Sequence, residues 1–264
     1  MSTELEPHRW RSSRVLGVRV DAVTREQALD AIEQFAAKRR ASLETGDVLA
    51  CQQVVTVNTE FVMEAQRNSA FREAINAAAL VVADGVGIVW ATRLRGTPVP
   101  ERITGTDTVM DVAKRCARSG YRLYLLGAAP GVAELAAERL QAIAPGLEIA
   151  GTYAGSPAPE EEDGIVERLN AARADVLCVA YGAPAQELWI RRNLERLPVA
   201  VAMGVGGAFD FLSGRQRRAP RIMQRLGLEW LYRLYREPWR WRRMLAIPQF
   251  LLYVLLKIRG DKSS

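Results

Sequence analysis

The chain has 264 residues, 49% hydrophobic and 25% charged, which suits a folded protein with a full core and excludes a disordered one. A lone histidine, His8, and three cysteines without CxxC spacing (Cys51, Cys116, Cys178) exclude most histidine catalysis and zinc chemistry, and point to reduced, structural thiols. The net charge of +6 hides an asymmetry: residues 215–264 hold thirteen Lys or Arg against three Asp or Glu, a net of +10, which leaves the rest at −4. Such polarity implies an anionic partner for the tail. No apolar run reaches the ~18–20 residues of a membrane-spanning helix. The start, MSTELEPHRWRSS, lacks the apolar stretch of a signal peptide, so a cytoplasmic location is expected.

Short apolar runs alternate with helical patterns along the chain. Residues 14–20 (RVLGVRV) read as a strand or hairpin arm and 26–38 as a helix. Residues 53–57 (QVVTV) read as a buried strand, 61–75 as one helix and 80–83 (LVVA) as the next strand. Further strands are expected at 121–126, 147–150, 175–180 and 199–203, with helices at 107–119, 132–143, 160–172 and 186–196. This grammar predicts an α/β fold: a Rossmann-like, mainly parallel sheet with helices on both faces. Near residue 214 the strands stop, and helices rich in Arg, Trp and Tyr are expected at 221–236 and 239–258, punctuated by Pro220, Pro238 and Pro248. The expected division is a catalytic α/β domain at 1–214 and a helical appendage at 215–264.

In such folds ligands sit at the carboxyl ends of the strands. The first of these loops carries Thr56 and Asn58. The next begins Asp84-Gly85, where the carboxylate either projects into a crevice or caps the following helix. Gly127–Gly131 forms a strand–glycine–helix junction able to offer N–H groups to a phosphate. Neither GxGxxG nor GxxxxGK[ST] is present, which counts against a dinucleotide cofactor and a P-loop. The loop at 181–187 contains Gln186 and Glu187, and the one after the last strand places Gly204, Gly206 and Gly207 where a backbone can approach a ligand closely. A DxD triplet is missing, and Asp107 and Asp111, with Thr106, read as helix-start residues. No metal and no cofactor are therefore expected. If the donor is a nucleotide sugar, the arginine-rich tail is the candidate to neutralise its diphosphate.

In the tail, Trp230, Leu231, Leu234 and Tyr235 form an apolar stripe beside Arg233, Arg236, Arg240, Arg242 and Arg243. Residues 244–258 are nearly uncharged but short, with Pro248 expected to interrupt them. They read as an interfacial helix lying on an anionic bilayer. Packing of the stripe on the chain's own core or on a sister subunit is the alternative. Nucleic acid fits less well, because the apolar run would add nothing to its binding.

Seven segments taken in order, TVNTEFVMEAQRN, VVADGVGIVWATRL, PERITGTD, YLLGAAPGV, YGAPAQELWI, GVGGAFDFLSG and RAPRIMQRLGLEWLYRLYREPWRWRRM, resemble the WecG/TagA/CpsF family of glycosyltransferases. Each is modest alone, but seven in register are specific, and the likeness spans about residues 15–258. The resemblance implies inverting transfer from a UDP-sugar donor to an undecaprenyl-diphosphate-linked N-acetylglucosamine at the inner face of the cell membrane. The donor is UDP-N-acetylmannosamine in one branch, with a product that feeds teichoic acid, and the corresponding uronic acid in another. It further implies Asp84 as general base, with Thr56 and Asn58 positioning substrate. Gln186, Gly204, Gly206, Gly207, Arg102 and Asp107 would bind substrate, and Arg233, Arg240 and Arg243 the diphosphate. Thr59 departs from a position where many relatives carry another small residue or proline. Another hexosyl or uronosyl donor, a non-catalytic membrane-recruited protein, and a homo-oligomer held by the apolar tail stay open at this point.

Overall fold

The computed structural model describes residues 10–46 and 49–261, apart from the side chains at 221, 225, 240 and 257–261; His8 lies outside the described residues. The chain opens with an antiparallel hairpin, β1 (Ser12–Val15) and β2 (Val18–Asp21), whose two-residue turn puts Leu16 and Gly17 at positive φ. Helix α1 (Arg25–Thr45) starts at a Thr24/Gln27 capping box and ends on Gly46 in the left-handed conformation. It continues past the expected 38 because buried Arg39 and Ser42 carry its inner face one more turn.

Then follow β3 (Gln52–Val57), α2 (Thr59–Arg67), α3 (Ser69–Asn76), β4 (Leu80–Ala83), α4 (Val86–Leu94), α5 (Gly105–Ser119), β5 (Arg122–Gly127), α6 (Val132–Ile143), β6 (Glu148–Tyr153), α7 (Glu162–Ala172), β7 (Val176–Ala180), α8 (Ala185–Asn193), β8 (Val201–Gly204) and α9 (Ala208–Leu212). The tail contains α10 (Arg221–Arg225), α11 (Glu229–Arg236), α12 (Trp241–Met244) and α13 (Ala246–Asp261).

Six strands form one sheet in the order β4-β3-β8-β7-β5-β6, with every pairing parallel. Both faces are covered, as a parallel sheet requires. One apolar cluster lies beneath α1, α5, α6 and α9. Two others lie beneath α2, α3, α4 and α13 and beneath α7 and α8. All three cysteines are buried thiols; burial pushes Cys51 and Cys116 up to about 12.

Several expected boundaries need correction. The single helix at 61–75 is two, because Asn68 ends α2 through its own N–H and starts α3 by accepting from the Phe71 N–H at 3.0 Å. Helix α9 was not expected, and α4 only as a helix of no stated bounds after Asp84. The expected helix at 221–236 breaks at Gly227, whose φ of 71° halts α10. Pro248 does not interrupt the last helix. It lies in the first turn of α13, where a missing N–H leaves no bond unmade.

The tail shares the body's core. Phe250 and Val254 of α13 are 0% and 2% exposed and join the cluster formed by α2 and α4. The outer sides of α10, α11 and α13 carry exposed Ile222, Leu226, Leu231, Tyr235, Leu251, Leu252, Leu255 and Leu256. Among the described residues no helix is long and apolar enough to cross a membrane.

Candidate active site

At the carboxyl ends of β4, β3, β8 and β7 opens a crevice of about 330 Å³. Thr56, the penultimate residue of β3, is buried in its wall. Asn58 follows and caps α2, its Oδ1 accepting from the Phe61 N–H at 3.1 Å, which fixes the side chain at the crevice edge.

Asp84 leaves β4 with its N–H bonded to the Val57 carbonyl at 2.7 Å. It does not cap α4, whose N-cap is Gly85 with no side-chain bond. Its Oδ2 instead turns to the start of α5 and accepts from the Gly105 N–H at 3.4 Å. A Cβ at 105 would lie in ordinary contact range, 3.4 Å from Thr56 Oγ1 and 3.9 Å from Asp84 Oδ2, so the start of α5 packs directly against both side chains. Burial raises the Asp84 pKa to about 6; Glu229 and Asp107 push the same way, while the Gly105 N–H and Arg102 oppose them.

Gln186 does not face the crevice as a free side chain. It is buried, and its Oε1 accepts from the N–H groups of Gly182 at 3.1 Å and Gly206 at 3.0 Å. One amide thus ties together the loops after β7 and β8. Its orientation is set by Nε2 donating to Glu187 Oε1 at 2.7 Å. Glu187 is fully buried, and that burial pushes its carboxyl up to about 8 against the opposing hydrogen bonds. Gly204 lies beneath this bridge and outside the lining, where a Cβ would come within 2.5 Å of Gln186 Nε2. Gly206 and Gly207 do line the crevice.

The tail supplies the crevice rim. The Arg233 guanidinium lies 4.8 Å from the centre of the Phe211 ring, and its Nη2 would be 3.2 Å from a Cβ at Gly207. Arg243 reaches the rim from α12 and pairs with Glu60 at 2.7 Å. The side chain of Arg240 lies outside the described residues.

Arg102 and Asp107 are not part of the lining and belong to a clamp that joins tail to body. Asp107 accepts from two guanidinium nitrogens of Arg218, at 2.5 and 2.9 Å. Arg218 and Arg102 both pair with Glu229, each at 3.2 Å, and Arg102 also donates to the Gln224 carbonyl at 2.9 Å. Burial disfavours the Asp107 charge, yet the bonds from Arg218 and Thr104 prevail and hold its pKa at about 2. The clamp still bears on Asp84 through the charges of Arg102, Asp107 and Glu229.

Sequence reasoning missed other lining residues. Tyr181 stacks edge-on against Trp189, with ring centres 6.0 Å apart, and Asp210, Phe211 and Gln216 complete the wall. Tyr181 and Asp210 stand in strand-end segments that the sequence had already marked, Asp210 within α9, but nothing in their spacing set them apart. Glu60 and Phe61 begin α2 and line the crevice as well.

The family model for "Glycosyl transferase WecG/TagA/CpsF family" matches residues 13–264. A protein of Bacillus spizizenii named N-acetylglucosaminyldiphosphoundecaprenol N-acetyl-beta-D-mannosaminyltransferase is 37% identical over 208 residues, covering 79% of this chain and 80% of the relative. A Bacillus subtilis protein of the same name is 33% identical over 210 residues, covering 80% and 81%. With a matched family model over nearly its full length and a parallel-sheet crevice at the matching motifs, this chain belongs to the WecG/TagA/CpsF family of glycosyltransferases.

Proposed function

We propose that the chain transfers N-acetylmannosamine from UDP-N-acetylmannosamine to undecaprenyl-diphosphate-linked N-acetylglucosamine, with inversion, in the synthesis of a cell-surface polysaccharide or teichoic acid. The names of the two relatives support the sugar and the acceptor. The observation that carries the chemistry is the Asp84 carboxyl beside Thr56, with a pKa raised to about 6. At neutral pH it is mostly ionised, yet basic enough to take a proton. The acceptor hydroxyl oxygen attacks the anomeric carbon and its proton passes to Asp84. The bond to the UDP oxygen breaks, and its electron pair leaves with the diphosphate.

Thr56 and Asn58 position the reacting sugars, and the loops joined by Gln186, with Gly206 and Gly207, hold the nucleotide-sugar. Arg233 and Arg243, with Arg240 from the same segment, neutralise the departing diphosphate in the role a metal ion plays elsewhere. Arg102 and Asp107 act from behind this layer by holding the tail in place. The 1–214 region carries the catalytic groups and the 215–264 region closes the site against the inner face of the membrane, where its apolar and basic side chains meet anionic lipid. Self-association through the same apolar side chains is a competing use of that surface.

Release of UDP from UDP-N-acetylmannosamine and a lipid-diphosphate acceptor analogue tests the reading. Asp84→Asn is expected to lose turnover while still binding UDP; wild-type turnover in that variant removes Asp84 from the mechanism. Turnover that stops on chelation and returns with a divalent ion removes the arginines' role. A panel of UDP-sugars assigns the donor.

A further inference from the structure

A second depression of about 610 Å³ lies between α2 and the α12–α13 end of the tail. It shares Glu60, Phe61, Ala183 and Arg243 with the catalytic crevice, so the two hollows adjoin. Their chemistry differs. The crevice is walled by hydroxyl, amide, carboxyl and backbone groups. The groove places Met63 and Phe61 of α2 opposite Leu245, Ala246 and Tyr253 of the tail, with Arg67, Arg242 and Arg243 along it. Beyond it, α13 exposes Leu251, Leu252, Leu255 and Leu256.

Resting on the function proposed above, we infer that this groove is the acceptor's subsite and takes the diphosphate and the first isoprenyl units of a polyprenyl-diphosphate sugar. A molecule whose sugar must reach Asp84 while its lipid stays in a bilayer needs a path with three properties. It must open into the crevice, carry cations where the diphosphate passes, and turn apolar towards the membrane. The groove has all three. Arg243 stands where groove and crevice meet, in an ion pair with Glu60 whose arginine side chain is 54% exposed. Such a pair is worth little in water. A diphosphate with two charges can therefore take the guanidinium from Glu60. Arg242 extends the cationic edge, whereas Arg67 is paired across one helical turn with Glu64, which also lines the groove, at 2.8 Å; Met63, Ala246 and Tyr253 give the isoprenyl units an apolar wall. Arg243 therefore borders both diphosphates, the acceptor's in the groove and the donor's in the crevice, while Arg233, on the Gly207 side, meets only the donor's.

The test uses the full chain, Ala246→Glu on the tail wall, Met63→Glu on the α2 wall and Arg242→Ala. All three positions are at least partly exposed, and a thermal melt of each confirms that the fold stands. With N-acetylglucosamine-diphosphate acceptors bearing several isoprenyl units, each variant is expected to raise the acceptor KM at least tenfold while the donor KM moves less than twofold. Binding of farnesyl diphosphate in detergent-free buffer, read by tryptophan fluorescence, is expected to weaken tenfold in the same variants. This second measurement needs no turnover, so it judges the groove even if the donor sugar is wrong. The inference is overturned if the variants bind farnesyl diphosphate as the wild type does, or if donor and acceptor KM rise together. Failure of the wild type to turn over any N-acetylglucosamine acceptor, with farnesyl diphosphate binding intact, overturns the proposed function and leaves the groove standing.

Discussion

Glu187 has no exposed surface, and burial raises its pKa to about 8 from about 4.5 in an unfolded chain. Between those two values the folded state keeps a proton that the unfolded state has released. A carboxyl of this kind contributes fully below about pH 4.5, and the contribution fades as pH rises through about 8. Each pH unit in that window removes about 1.4 kcal/mol, so the whole window removes on the order of 5 kcal/mol. That is a large share of the roughly 5–15 kcal/mol that holds a domain folded. Glu187→Gln keeps an oxygen to accept the Gln186 Nε2 bond but cannot ionise. Any cost of the added amide is the same at every pH. Urea unfolding followed by tryptophan fluorescence at pH 5, 6.5 and 8 should show the variant gaining on the wild type by about 1.4 kcal/mol per pH unit. If the two proteins lose stability in parallel across that range, Glu187 is already ionised in the fold, and its description as a neutral buried brace is wrong.

Further outcomes follow from the site and its clamp. The kcat/KM of the wild type should fall about tenfold per unit below pH 6 as Asp84 takes up a proton, a limb that a pH-rate profile measures directly. Gly204→Ala would drive a methyl group against Gln186 and Glu187. Overpacking of this kind costs roughly 1–3 kcal/mol, or about 2–12 °C in Tm, and calorimetry together with a raised donor KM would report it. Asp107→Asn should lower stability at pH 7 by about 2 kcal/mol, because a carboxylate held at about 2 contributes above its ordinary value near 3.8 and loses that contribution as pH falls towards 2. Denaturant titrations at pH 7 and pH 3 should show the gap narrowing.

Much of the sheet was legible because buried parallel strands read as uninterrupted runs such as VVTV and LVVA, and the strand-end rule then led to Thr56, Asn58 and Asp84. The bounds of α4 and the whole of α9 escaped for a physical reason. Each begins beside glycines (Gly85 and Gly87, Gly206 and Gly207) that read as loop, and α9 is barely more than one turn. Gln186 and Glu187 were marked as hydrogen-bonding side chains of a strand-end loop, but that they are buried and bonded to each other beneath the crevice follows only from their packing against Gly204. Arg102 and Asp107 stood out in the sequence, but their partners lie more than a hundred residues away in the tail. No local spacing records a contact of that range.

The position of the tail also decides which experiments can separate its roles. Phe250, Val254 and Met244 are buried, and exposing such side chains costs about 1.5–3 kcal/mol each. Removing residues 215–264 would forfeit these contacts, together with the Asp107–Arg218 clamp, and the total approaches the margin by which a domain stays folded. Loss of activity or of vesicle binding in a truncated chain would then report unfolding as much as function. The clamp and the rim arginines occur in one continuous segment, between Arg218 and Arg243, so the contacts that anchor the tail also set where its cations meet the crevice. Asp107 and Arg102 thereby bear on catalysis from outside the crevice: they fix the stretch of chain that delivers Arg233 to the Gly207 loop and Arg243 to the opposite rim. Point changes on the outward face, such as Leu252→Glu or Leu256→Glu, spare both the core and the clamp and so bring the membrane question down to exposed side chains alone.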